Sequence, residues 1–130
     1  MLFGRINRPS SLIKLSITGF SARGSLGSIA NNLCFFPSLR GLELEDLDMG
    51  EADLFGFLEN LKFTPDLRIL NLMDNPLGHA VRSMVPYLIE QQKLCVVYIR
   101  RGDCLEEDLK YVQEAVKEKR PRLKIKTSWY

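Results

Sequence analysis

No stretch of this 130-residue chain approaches the roughly 18 consecutive apolar residues of a membrane span, so insertion into a bilayer is not expected. The opening MLFGRINRPSS has neither a long apolar core nor a small-residue cleavage site, and so does not read as a signal peptide. No N-x-S/T sequon is present. Cysteine is scarce: Cys34, Cys95 and Cys104 are odd in number and form no C-x-x-C pair, which argues against a disulfide framework or a zinc site. The expectation is buried thiols in a reducing, cytoplasmic compartment. There is one histidine, His79, with no H-E-x-x-H or similar partner pattern, so no metal or catalytic role is assigned to it. No G-x-x-x-x-G-K-[ST] occurs, and the short glycine run GSLGS at 24–28 lacks the lysine that a phosphate loop needs. The net charge of +2 is too mild to point to nucleic acid.

The hydrophobic and charged fractions, 45% and 26%, are those of a chain able to build a core, which excludes wholesale disorder. Within it runs a repeat. LRILNLMDNPL at 67–77 fits L-x-x-L-x-L-x-x-N-x-L at Leu67, Leu70, Leu72, Asn75 and Leu77. LRGLELEDLDM at 39–49 fits at Leu39, Leu42 and Leu44, with Leu47 in the asparagine slot. LIKLSITGFSA supplies Leu12, Leu15 and Ile17, and LCVVYIRRGDC supplies Leu94, Val97 and Ile99. Phe20 and Gly102 stand in the asparagine slots of these two units. The starts at Leu12, Leu39, Leu67 and Leu94 keep a spacing of 27 or 28 residues. RLKIKT, with Leu123 and Ile125 inward, adds a partial fifth strand.

Slots four and six share one face of a short strand because side chains alternate with period two. Parallel strands need a return, and the intervening segments have helical spacing. The stripes are Leu54, Phe57, Leu58 and Leu61; then Val81, Met84, Val85 and Leu88; then Leu105, Leu109, Val112 and Val116. Asp48 with Glu51, and Asp103 with Glu106, have capping-box spacing. Pro86 is expected to bend or split the middle helix. Segment 24–35 has Leu26, Ile29 and Leu33, but Gly24 and Gly27 shorten its helix. The fold class expected is α/β: a right-handed leucine-rich-repeat solenoid, a horseshoe fragment with a short parallel sheet on its concave face and helices on its convex face. It forms one domain over 1–130, with repeats starting near 12, 39, 67 and 94 and a C-terminal cap at about 103–130. Only Leu2, Phe3 and Ile6 cover the N-terminal side, which suggests a piece of a longer array and possible self-association through that edge.

Repeats of this length with helical returns resemble the ribonuclease-inhibitor class of leucine-rich repeats, on LRGLELEDLDM, LRILNLMDNPLG and the helix stripes between them. Asn75-Pro-Leu-Gly78 looks like the turn into the helix of that class. The ending LKYVQEAVKEKRPRLKI resembles the last unit of nucleotide-binding leucine-rich-repeat (NOD-like) innate immune receptors. The resemblance implies a ligand-sensing or autoinhibitory module that binds a protein ligand or another domain of its own receptor. The alternative it implies is a free-standing ribonuclease-inhibitor-like inhibitor or GTPase regulator.

No constellation for catalysis is legible, so neither an enzyme nor a cofactor is expected. The candidate site is the outward strand face, where slots five, seven and eight place Glu43, Glu45 and Asp46, then Asn71, Met73 and Asp74, then Tyr98, Arg100 and Arg101. This strip runs from acidic to basic around Met73 and Tyr98, the pattern of a steered interface with an anchor. The basic cluster Lys117, Lys119, Arg120, Arg122, Lys124 and Lys126 is read as a solvated cap, diluted by Glu114 and Glu118.

Overall fold

A computed structural model describes residues 10–19 and 25–128. Five strands are laid side by side in chain order, all parallel: β1 (Lys14–Thr18), β2 (Gly41–Glu45), β3 (Ile69–Asn71), β4 (Val96–Tyr98) and β5 (Lys124–Lys126). The register aligns Leu15, Leu42, Leu70, Val97 and Ile125 in one inward row. Leu42, Leu70 and Val97 in that row are buried, and Leu44, Leu72 and Ile99 are buried two residues further on. Alternation thus puts the branched side chains under the sheet and leaves the polar positions outside.

The returns are helical but unequal. α1 (Leu26–Asn31) runs into a 3₁₀ turn at Leu33–Phe35, and α2 (Glu51–Asn60) into another at Leu61–Phe63. The third return begins as a 3₁₀ stretch, Gly78–Ser83, and becomes α3 (Met84–Glu90). The fourth has a 3₁₀ turn at Arg101–Asp103 and then α4 (Glu106–Lys119). Their apolar stripes close one continuous core with the sheet, including Ile29, Leu54, Leu58, Met84, Leu88, Val112 and Val116. Pro86 has no N–H to donate, and the return containing it changes from 3₁₀ to α three residues earlier.

These unequal returns correct the expected fold class. A horseshoe solenoid takes its curvature from like units, each with a similar helix on the convex side. Here the α-helical segments run from six residues to fourteen. The architecture is a small α/β domain with a five-stranded parallel sheet. The capping boxes also shift. Gly50, not Asp48, precedes α2, and its N–H donates to Asp53 Oδ2 at 3.2 Å. Asp103 caps the 3₁₀ turn rather than α4, whose N-cap is Leu105.

The strand exits share one backbone device. Gly19, Asp46 and Asp74 occupy the same repeat position and all have positive φ, +91°, +52° and +63°. Aspartate tolerates this left-handed region better than most residues do, and glycine does so without steric cost. Among the described residues, no helix is long and apolar enough to cross a membrane. The expectation of buried thiols fails for Cys34 and Cys95, which are exposed; Cys104 is half-buried. Leu2, Phe3, Ile6, Phe20 and Gly24 lie outside the described residues.

Asp108, on the first turn of α4, is buried and ties two returns together. Its carboxylate accepts a hydrogen bond from Arg82 Nε and lies 2.7 Å from His79 Nδ1. The Arg82 guanidinium, and after it His79, hold the Asp108 carboxyl below the usual carboxylate range. A carboxylate whose folded pKa is depressed adds stability above its unfolded pKa of about 4, and that stability is lost as pH falls toward the folded value. Asp103 works in the opposite sense, because burial raises its carboxyl and its ionisation opposes folding as pH rises. The expected result is a urea midpoint that declines below about pH 4, with a shallower acid limb in Asp108→Asn. Identical acid limbs in the two proteins would remove this role from Asp108.

Candidate protein-binding face

The outward side of the sheet is built by the rows between the buried ones. One row is Lys14, Gly41, Ile69, Val96 and Lys124; the next is Ser16, Glu43, Asn71, Tyr98 and Lys126. Ile69 is 40% exposed, while Val96 and Tyr98 are half-buried. They form an apolar patch over β3 and β4. Lys14, exposed, covers Gly41 on one side, and Lys124 and Lys126 border the patch on the other.

The charged strip read from the sequence is present, but all its charged members except Asp46 are paired. Glu43 meets Lys14 Nζ at 2.8 Å. Asp74 meets Arg100 Nε at 2.6 Å, and Arg101 meets Glu106 at 2.5 Å. Glu45, half-buried, accepts a hydrogen bond from the Asn71 amide. Asp46 is exposed at its left-handed corner. Asp103 accepts from the backbone N–H groups of Asp74 and Arg100 at 2.9 and 3.0 Å, which fixes the two loops bearing the Asp74–Arg100 pair.

Two expected contact residues are not available to a partner. Asn71 is buried, and its Oδ1 accepts the Met73 N–H at 3.0 Å. Met73 is fully buried, although it lies outside the contiguous core. Continuing the register sets Glu45 on one side of it and Arg100 on the other. Ile69 and Val96 were missed by the sequence reading. They sit two positions after Leu67 and Leu94, so extending the alternation one step toward the strand starts would have found them.

The Cys104 thiol is not prepared as a nucleophile. Burial pushes the Cys104 thiol up, with Asp103, Asp108 and Glu106 adding to the shift, which disfavours thiolate. His79 is exposed and packed on Asp108, as a structural tie. Among the described residues, no group of three or more His, Cys, Asp or Glu could hold a metal ion.

Two solved structures superpose on this chain over most of its length. One is a Caenorhabditis elegans tropomodulin C-terminal domain, with a TM-score of 0.72 and 16% identity, covering 91% of this chain and 74% of that one. The other is leiomodin-1 actin-binding site 2, with a TM-score of 0.73 and 16% identity, covering 87% of this chain and 68% of that one. This likeness shows the fold. No protein-family model matches the sequence, and no curated protein does.

These neighbours overturn the expected resemblance to ribonuclease-inhibitor-class repeats and NOD-like receptors. The innate-immune module, the free-standing inhibitor and the receptor-domain partner are withdrawn with it. The physical reason lies in the ending that suggested a receptor. Arg120 of the Arg-Pro turn donates to the backbone carbonyls of Gln91, Leu94 and Gln92 at 2.5, 2.9 and 3.2 Å. A helix end needs such donors in any protein, so an arginine there carries no family signature.

Proposed function

We propose that this chain is a non-catalytic, cytoplasmic protein-binding domain that engages actin through the outward face of its sheet. The observation that supports this reading is the likeness to leiomodin-1 actin-binding site 2 over 87% of the chain. The face is suited to the task. Ile69, Val96 and Tyr98 offer apolar area, and the ion pairs around them hold charges of both signs at the border. Apolar anchors within a polar rim are where interface energy concentrates, while rim charges steer the encounter.

Co-sedimentation with filamentous actin, and titration into monomeric actin, test the proposal. The protein is expected to bind at least one of the two forms. Ile69→Asp combined with Tyr98→Ala is expected to weaken binding by about tenfold or more, as loss of a central anchor does. The far-UV circular dichroism of the double variant should match the parent, since neither side chain belongs to the buried core. Absence of binding to both forms overturns the actin reading; unchanged affinity in the double variant overturns the face.

A further inference from the structure

With its internal ion pairs set aside, the outward face of the sheet keeps a one-sided charge. Lys14 is neutralised by Glu43, Arg100 by Asp74 and Arg101 by Glu106. Lys124 and Lys126 stand two residues apart on β5, and so on the same side of that strand. Lys124 is exposed and Lys126 half-buried, and neither ammonium enters an ion pair among the described residues. At the strand entries Arg40 and Arg68 precede β2 and β3, are both exposed, and are joined through the Arg68 N–H and the Arg40 carbonyl at 2.8 Å. The carboxylate in their field is Asp66, which already meets Lys93 at 2.7 Å. Lys93, and after it Arg40 and Arg68, hold the Asp66 carboxyl below its ordinary range. Positive charge is thus in excess on two sides of the Ile69–Val96 patch, along β5 and at the strand entries.

The acidic charge of the face lies at another corner. Glu45 is hydrogen-bonded to the neutral Asn71 amide, and Asp46 is exposed after β2. β2 and β5 are separated by β3 and β4, a distance of roughly 14 Å at the usual strand spacing. That exceeds the Debye length of about 8 Å at physiological salt, so these carboxylates do little to neutralise Lys124 and Lys126. We infer that the outward face takes an acidic segment of a partner polypeptide, with an apolar residue set on Ile69 and Val96 and carboxylates on Lys124 and Lys126. Complementary charge at the border of an apolar patch steers the encounter and fixes which way round the partner lies. A nucleic acid would answer the same cations, but its bases need aromatic platforms, and Ile69 and Val96 offer none. The occupant so described rests on the outward face being the binding surface, as proposed above, and not on the partner being actin.

The test titrates the full chain with the capped peptide acetyl-Asp-Glu-Leu-Glu-Asp-amide and follows backbone amide shifts by NMR. Saturable shifts at Ile69, Val96 and residues 124–126 are expected, with a dissociation constant on the order of millimolar at low salt. Raising the ionic strength from roughly 0.01 to 0.15 M shortens the Debye length from about 30 to about 8 Å and should weaken the peptide by about fivefold or more. Lys124→Glu with Lys126→Glu should weaken it by about tenfold or more, and Lys124→Gln with Lys126→Gln, a milder change, by an intermediate factor. Lys110→Glu with Lys117→Glu makes the same change of net charge on exposed positions of α4 and should bind as the parent does. The same peptide with lysine at its four acidic positions should give no saturable shifts. No binding of the acidic peptide, equal loss in the α4 variant, or tighter binding of hexathymidylate would each overturn the inference. Binding of the peptide without binding of actin would leave it standing while the actin reading falls.

Discussion

Replacing Asn75 with leucine is expected to lower the free energy of unfolding by about 3–5 kcal/mol, although leucine occupies the equivalent position, Leu47, one repeat earlier. The Asn75 side chain is fully used. Its Oδ1 accepts from the Leu47 and Met49 N–H groups, each at 3.0 Å. Its amide donates to the carbonyls of Leu44, Leu72 and Met73 at 2.7, 3.0 and 3.2 Å. Asn75 is 1% exposed, so water cannot replace it. Leucine would leave two buried donors unsatisfied, at about 1–3 kcal/mol each, and deprive the carbonyls of their partner as well. The Asn75 amide serves the Leu47 backbone from the neighbouring repeat. Against a total stability of roughly 5–15 kcal/mol, such a loss takes a large share. In thermal unfolding it corresponds to about 10–20 °C. Asn75→Asp should recover only part, since a carboxylate still accepts from Leu47 and Met49 but faces three carbonyl oxygens with no donor. A loss under about 1 kcal/mol in urea titration would show that the bridge is dispensable.

Asn75 also marks how far the sequence could be read. A period of 27 or 28 residues and a period of two within it placed Leu42, Leu70 and Val97 inward without any coordinates. Such positions repeat because the pleat repeats. The returns were less legible. The same i, i+3, i+4 spacing serves a 3₁₀ turn feeding an α-helix and a single α-helix, so Gly78–Ser83 could not be told from the start of α3. The outward face was half legible. Tyr98 was found, whereas Ile69 and Val96 fall outside the repeat's named slots. Met73 was assigned to solvent by alternation, yet it is fully buried. The charge strip was seen as a gradient, and its pairing, Lys14 with Glu43 and Asp74 with Arg100, depends on which strands are neighbours. Family assignment from the last twenty residues failed because the features used there answer to general helix chemistry.

Arg120 provides the sharpest test of that last point. Its guanidinium donates to the carbonyls of Gln91 at 2.5 Å, Leu94 at 2.9 Å and Gln92 at 3.2 Å, with longer contacts to Leu88 at 3.4 Å and Ile89 at 3.5 Å. Every one of these groups belongs to the end of α3 or to the loop leading into β4. A helix C-terminus leaves its last carbonyls without intrahelical partners and carries partial negative charge, so one planar cation placed across them answers both needs. Arg120→Ala is expected to cost about 2–4 kcal/mol, from several charge-assisted hydrogen bonds lost at partly buried acceptors. Arg120→Lys should restore less than half of that, because one ammonium cannot reach acceptors spread over seven residues. If the cluster around Arg120 were only a solvated cap, both variants would stay within about 0.5 kcal/mol of the parent. Arg122→Ala, a neighbouring exposed change with no such contacts, should leave stability unchanged.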